Sequence, residues 1–451
     1  IKKVLILNIQ SAFSFQDLIF LPIYIIVLIS LCYYFSPKEK YLVKYFRQGF
    51  LLKLFGAMCF WLVYYYIYDG GDTWSYFYSS RAIGNLILVK FSRGVEVLLG
   101  IIDNKESLAW FRPSTGWPKF YMAKDYYTFT VCRYAAIFYL LSGKSFIIST
   151  ILHAAFSYIG LWKLYKVVNY SFPNNEKTLF YLILAMPSIL FWTGGIMKDT
   201  YVFNSTCWIV YNLYSIFIFK KKRIVNSLLL ILNIIIILNI KAYLLISLIP
   251  AVLIWLNNTM LKKVRSTFIK ALITPLTILL LSGAGLFLFQ NISSSMGKYG
   301  DLESTINQAK VIQEDLLRED QYGGNNYNIG QLDGTLSGTL KIAPMSIFTA
   351  LYRPLPWEYG SPLMALSIIE NCILLFFTLI LLARLKPYRF FKEIFNEPFF
   401  IFSIVFSVFF AFGVGIASTN FGALVRYKLP LMPFFFTTLY LIYSKNKNVK
   451  R

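Results

Sequence analysis

NSLLLILNIIIILNIKAYLLISLIPAVLIWL, residues 226–256, carries a single charge, Lys241, in an otherwise almost wholly apolar run. The hydrocarbon of a bilayer is about 30 Å thick and a helix rises about 1.5 Å per residue, so about 20 apolar residues reach across it. The run is too long for one crossing and long enough for two short ones, which would meet at Asn239-Ile240-Lys241-Ala242. It therefore reads as a hairpin of membrane helices with Lys241 at its tip. Residues 17–30, 51–68 and 398–416 are similarly poor in charge. The whole chain of 451 residues is 57% hydrophobic and 19% aromatic, which excludes an ordinary soluble fold. Its formal charge of +23, from 44 basic and 21 acidic residues, would indicate nucleic acid in a soluble protein. In so apolar a chain it indicates a bilayer, and no nucleic-acid partner is expected. The fold class is all-α, a polytopic helical bundle read as one integral membrane domain over 1–451.

The basic residues gather in six short segments, 38–47, 163–177, 220–223, 262–270, 384–392 and 445–451, among only a few acids. The positive-inside rule places all six on the cytoplasmic side. An even number of crossings must then separate any two of them, and eleven spans satisfy this: 16–35, 49–68, 145–163, 178–197, 200–219, 225–240, 242–257, 269–289, 362–383, 399–416 and 429–444. The N-terminus lies outside and the C-terminus inside. The first span reads as retained, since no small-residue cleavage site precedes Asp17. Residues 126–141, though apolar and aromatic, are not a full span on this count and should lie along or dip into the outer leaflet. Two long external segments result, 69–144 and 290–361. Long connections in a compact protein are commonly functional, so chemistry is expected on that face.

Five places could carry it. Tyr68-Asp69-Gly70-Gly71-Asp72-Thr73-Trp74-Ser75-Tyr76 follows the second span; two glycines permit a sharp turn, and Asp72 is held near aromatic rings where a carboxylate can serve as general base. The same residues also read as a turn and helix start. Thr193-Gly194-Gly195-Ile196-Met197-Lys198-Asp199 sets a cation beside an anion at a span end. Charges there face a partner or a wet cavity, or snorkel and cap the next helix. Lys241, Arg353 (in Leu351-Tyr352-Arg353-Pro354-Leu355-Pro356-Trp357-Glu358), and Arg426 with Lys428 (in Arg426-Tyr427-Lys428-Leu429-Pro430) are cations set among aromatics and prolines. Each alone reads as an interfacial anchor, but together on one face they suit a phosphate or pyrophosphate group.

Other features read as structure. His153 is the only histidine and should be a packed, hydrogen-bonded core residue. Cys32, Cys59, Cys132, Cys207 and Cys372 lie in apolar or aromatic stretches without metal-ligand spacing and should pack. Residues 314–320 look like a solvated helix face, and Tyr322-Gly323-Gly324-Asn325-Asn326 like a mobile loop over the substrate.

With these residues in place the chain resembles the GT-C class of membrane glycosyltransferases, which includes a bacterial dolichyl-phosphate-mannose-protein mannosyltransferase-like group. The resemblance rests on Asp72 followed by Trp74 and Tyr76, on the long segment 69–144, on a span running from Pro187 to an acidic Asp199, and on Arg426-Tyr427-Lys428-Leu429-Pro430, similar to an Arg-Tyr-x-x-Pro found in bacterial members. It implies a transferase of the bacterial inner membrane, serving cell-envelope polysaccharide biosynthesis and using a polyprenyl-phosphate-linked saccharide. Asp72, or Asp69, would be the catalytic base. Tyr76, Lys198, Asp199, Lys241, Arg353, Glu358, Arg426 and Lys428 would bind substrate. Some members bind a divalent metal, although no carboxylate cluster in this sequence demands one. Membrane lipids are expected partners. The alternatives are an O-antigen-type polymerase or ligase, a transporter of lipid-linked saccharides, and a non-catalytic subunit of an envelope complex.

Overall fold

The computed structural model describes residues 13–261, 302–318, 325–330, 332–385 and 387–448. The expected span 269–289, the basic residues of 262–270 and the loop residues Tyr322, Gly323 and Gly324 lie outside these. Among the described residues the secondary structure is helical, with one isolated bridge between Asn326 and Asn420 and no strand. Among the described residues six helices are long and apolar enough to cross a membrane. The chain divides into two compact units, 1–241 and 242–451.

The first unit contains α1 (Phe15–Tyr34), α2 (Lys40–Tyr66), α3 (Gly71–Val89), α4 (Phe91–Leu99), α5 (Tyr126–Leu141), α6 (Phe146–Ser171), α7 (Pro187–Trp192), α8 (Lys198–Phe217) and α9 (Arg223–Lys241). Its outward surface is apolar: α1 exposes Ile19, Ile23 and Ile26, and α9 exposes Ile224, Leu228 and Ile231. Its interior is rich in polar groups, with Ser149, Thr150, His153, Thr200, Asn204 and Thr206 all buried. Lipid offers helices no hydrophobic drive to associate, so small residues and interhelical hydrogen bonds hold them together. Gly160 of α6 is such a contact: its N–H donates to Asn204 Oδ1 at 3.0 Å, and a Cβ there would collide with that side chain. His153 packs as expected. Its Nδ1 lies 2.7 Å from the Ser149 carbonyl, which only accepts, so Nδ1 donates there and Nε2 accepts from the Tyr201 hydroxyl at 2.7 Å. The five cysteines are free, and three of them are buried.

Residues 178–197 do not form the continuous span expected of them. A short helix (Glu176–Leu179) passes into a π turn (Phe180–Leu184), breaks before Pro187, resumes as α7 and ends at Thr193. Pro187 lacks the N–H a continuous ladder needs, which explains the break. At the other end of α7, Lys53 of α2 is fully buried, and its Nζ donates to Ile189 O at 3.1 Å and also bonds Thr193 Oγ1. Gly195 then passes so close to Phe60 that no side chain would fit. Sequence periodicity could not show this, because the partner of the break is 136 residues away.

The second unit contains α10 (Tyr243–Leu261), α11 (Leu302–Leu316), α12 (Ala343–Tyr352), α13 (Pro362–Arg384), α14 (Pro387–Asn396), α15 (Pro398–Ala417), α16 (Phe421–Tyr427) and α17 (Met432–Asn448). Ile369, Ile373, Phe376 and Leu379 of α13 are exposed at helical spacing, a face suited to lipid. Asn325 and Asn326 are pinned: Phe421 N–H donates to the Asn325 carbonyl at 3.0 Å, and Asn420 Nδ2 donates to Asn326 Oδ1 at 3.0 Å. This end of the loop expected to be mobile is therefore fixed to the start of α16.

Candidate functional site

Between α2 and α3 the chain reverses through Asp69, Gly70 and Gly71, with φ of 47°, 83° and 46°. Three successive left-handed residues are tolerable because two are glycine and aspartate is among the side chains that visit this region. Gly70 N–H donates back to Tyr64 O at 2.7 Å, which closes the turn. Asp72 follows in the first turn of α3, where the positive end of the helix favours a carboxylate. The turn and helix start read from this stretch are both present. Asp69 and Asp72 are exposed, whereas Tyr76 is buried within the helix packing.

Asp72, Ser75 and Ser79 lie along one face of α3, at intervals of three and four residues. Lys119 is laid against that face: its N–H donates to Ser79 Oγ at 3.1 Å and its Nζ to Ser75 Oγ at 2.8 Å. Burial pushes the Lys119 ammonium below the ordinary lysine range, and the Asp72 carboxylate pulls it back up. Asp125 caps α5, accepting from Thr128 N–H at 3.0 Å, and stands 3.5 Å from Lys198 Nζ at the head of α8. Lys198 is likewise lowered by burial and raised chiefly by Asp125, with Lys241 opposing and Asp72 assisting.

Behind these groups Lys241 Nζ donates to Asp199 Oδ1 at 2.6 Å, and both side chains are buried, at 8% and 3% exposure. Beside Lys241 in α9, Asn239 Oδ1 accepts from the Tyr126 hydroxyl at 3.1 Å, tying α9 to α5. Of the residues singled out in sequence, Asp72, Lys198, Asp199 and Lys241 therefore act on one another in the first unit. Lys119, Asp125 and Ser75 were missed. Asp125 carried a legible signal, an aspartate just before an aromatic helix, and Lys119 a weaker one in Trp117-Pro118-Lys119.

The remaining residues form a second cluster, in the second unit. Arg353 Nε donates to Glu358 Oε1 at 2.7 Å, and the guanidinium lies over the Tyr327 and Phe421 rings at 4.8 and 5.2 Å. Glu358 also accepts from Leu355 N–H at 2.8 Å. Lys428 is withdrawn from solvent. It is 1% exposed, and its Nζ donates to Arg353 O at 2.9 Å and Asn371 Oδ1 at 2.7 Å. Arg426 is half-buried at the end of α16. Arg353, Glu358 and Lys428 thus largely satisfy one another and fix the loop after α12.

Burial pushes Lys428 down to about 7, against a weaker upward pull from Glu370. Between that value and the ordinary lysine range the unfolded chain binds a proton that the folded chain does not, so stability rises with pH across this interval. The unfolding midpoint of the wild type is expected to rise from pH 7 to pH 10 relative to that of Lys428→Met. Parallel profiles for the two proteins would mean that Lys428 stays charged when folded.

Among the described residues no group of three or more His, Cys, Asp or Glu is placed to hold a metal ion. Comparison of the chain with protein-family models, with curated proteins and with solved structures finds no match. The class is therefore defined by fold alone: a helical membrane protein with a mixed cluster of carboxylates and ammonium groups in its first unit.

Proposed function

We propose that the protein is a membrane glycosyltransferase that moves a sugar from a polyprenyl-phosphate-linked donor to an acceptor on the external face of the bacterial inner membrane. It would have about eleven spans, an external N-terminus and a cytoplasmic C-terminus, with α3 to α5 outside or along the outer leaflet. The observation that carries the reading is the grouping of Asp72 with Lys119, Asp125 and Lys198. Asp72 takes the proton of the acceptor hydroxyl as its oxygen bonds the anomeric carbon. The bond from that carbon to the phosphate oxygen breaks, and the lipid phosphate leaves with the electron pair. Lys119 and Lys198 offset the charge that develops on it. The Lys241 ammonium group is itself engaged by Asp199.

The test is release of free polyprenyl phosphate from a lipid-linked saccharide pool by purified protein in proteoliposomes, with the sugar recovered on an acceptor. An intact saccharide appearing across the bilayer without cleavage would instead support the transporter reading. One observation favours that reading: the helical course of 178–197 is broken and a buried cation, Lys53, bonds Ile189 O at the end of α7, and broken helices and buried charges are features of transport folds. Orientation has its own test. Cysteine at position 105 is expected to label from outside and at position 222 only from inside; external labelling at 222 overturns the topology.

A further inference from the structure

We infer that the corner where α6 and α8 meet the loop into α9 is a binding site for the headgroup phosphate of an anionic phospholipid, separate from the transfer site. Lys163 and Lys166 are one turn apart on α6, and the Lys163 ammonium lies over the rings of Trp208 and Tyr211 of α8, at 4.8 and 4.3 Å. The groups that act on Lys163 are Tyr211, Lys166 and Lys222. Three cations therefore converge, and among the described residues none of them forms an ion pair with a carboxylate.

The loop that brings Lys222 there is held in a costly form. Lys220 and Lys222 both have left-handed backbones, φ 55° and 45°, a region that side chains other than glycine, asparagine and aspartate seldom adopt. Asn226 holds the loop in this shape, donating from Nδ2 to Lys221 O at 2.8 Å and Lys222 O at 3.0 Å. A like-charged cluster held this way is complementary to an anion, and lysine suits phosphate as a point charge. The occupant is a lipid because of what adjoins the corner. Two residues beyond Lys222, α9 begins an exposed apolar stripe of Ile224, Leu228 and Ile231, which can carry acyl chains.

The purified full chain in uncharged detergent should bind short-chain phosphatidylglycerol at least tenfold more tightly than short-chain phosphatidylcholine. Equal binding of the two by the wild type overturns the proposal, with no variant needed. Lys163→Gln, Lys166→Gln and Lys222→Gln together are expected to reduce the preference at least fivefold. Lys38→Gln, Lys40→Gln and Lys44→Gln together remove the same charge elsewhere and should leave it in place; an equal loss in both triple variants shows a diffuse charge effect and overturns the site. If the first triple variant does not fold, Lys222→Gln alone is used, since that side chain is exposed in a loop; an unchanged preference there counts against the proposal. Glycerol phosphate that binds as tightly as the lipid would transfer the site to a soluble phosphate and overturn the lipid assignment.

Discussion

Asp72→Asn is expected to lower sugar transfer by about 10²- to 10⁴-fold, the range attributed to a general base, while extraction and unfolding behaviour stay close to wild type. Stability should hold because Asp72 is exposed and its contribution to the α3 terminus is a charge–dipole term of about 0.3–1 kcal/mol. Asparagine keeps the size and removes the proton acceptor. The companion variant is Asp69→Asn. Asp69 sits in the left-handed turn, where asparagine is as well tolerated as aspartate, so that change tests the carboxylate without disturbing the backbone. Turnover is expected to survive at position 69 and fail at position 72. Normal turnover in Asp72→Asn would remove the base assignment, and loss in Asp69→Asn alone would transfer it. Both are read as release of polyprenyl phosphate, with unfolding midpoints measured in parallel.

The division between what sequence reveals and what it hides follows the range of the interactions. The helix boundary at Ala242 within 226–256, the turn at Asp69 to Gly71 and the packed His153 were legible because hydropathy, glycine pairs and lone residue types are local signals. The helix Tyr126–Leu141 forms over the apolar, aromatic stretch read at those residues. The broken helix at 178–197 was missed because its energetics depend on Lys53 reaching across from α2. The partners of Arg353 and Lys428, Glu358 and Asn371, come from a neighbouring loop and from α13. A cation that looks isolated in sequence is thus ambiguous, because a membrane interior must satisfy any charge it holds, and the satisfying group is usually remote in the chain. Lys119 illustrates the converse: an unremarkable surface lysine becomes part of a site because α3 presents Ser75, Ser79 and Asp72 on one face.

Lys241→Met is expected to destabilise the first unit by about 3–5 kcal/mol, the usual result of leaving one member of a buried ion pair unpaired. The Lys241 and Asp199 side chains are almost fully withdrawn from solvent and joined at 2.6 Å, so removing the ammonium leaves a carboxylate with little access to water. Asp199→Leu should cost a similar amount, by stranding the lysine. The double variant Lys241→Met with Asp199→Leu is expected to recover most of the loss, because two apolar side chains in contact avoid the desolvation of both ions. The difference between the double variant and the sum of the singles is the coupling energy, measurable from unfolding in detergent. Single variants that each cost under about 1 kcal/mol would mean that the pair is hydrated in solution. The same double variant separates packing from electrostatics at the candidate site. It restores the fold but removes both charges, so a recovered unfolding midpoint with impaired transfer would assign the Lys241–Asp199 pair an electrostatic role in the reaction. Recovery of both would confine the pair to holding α8 against α9.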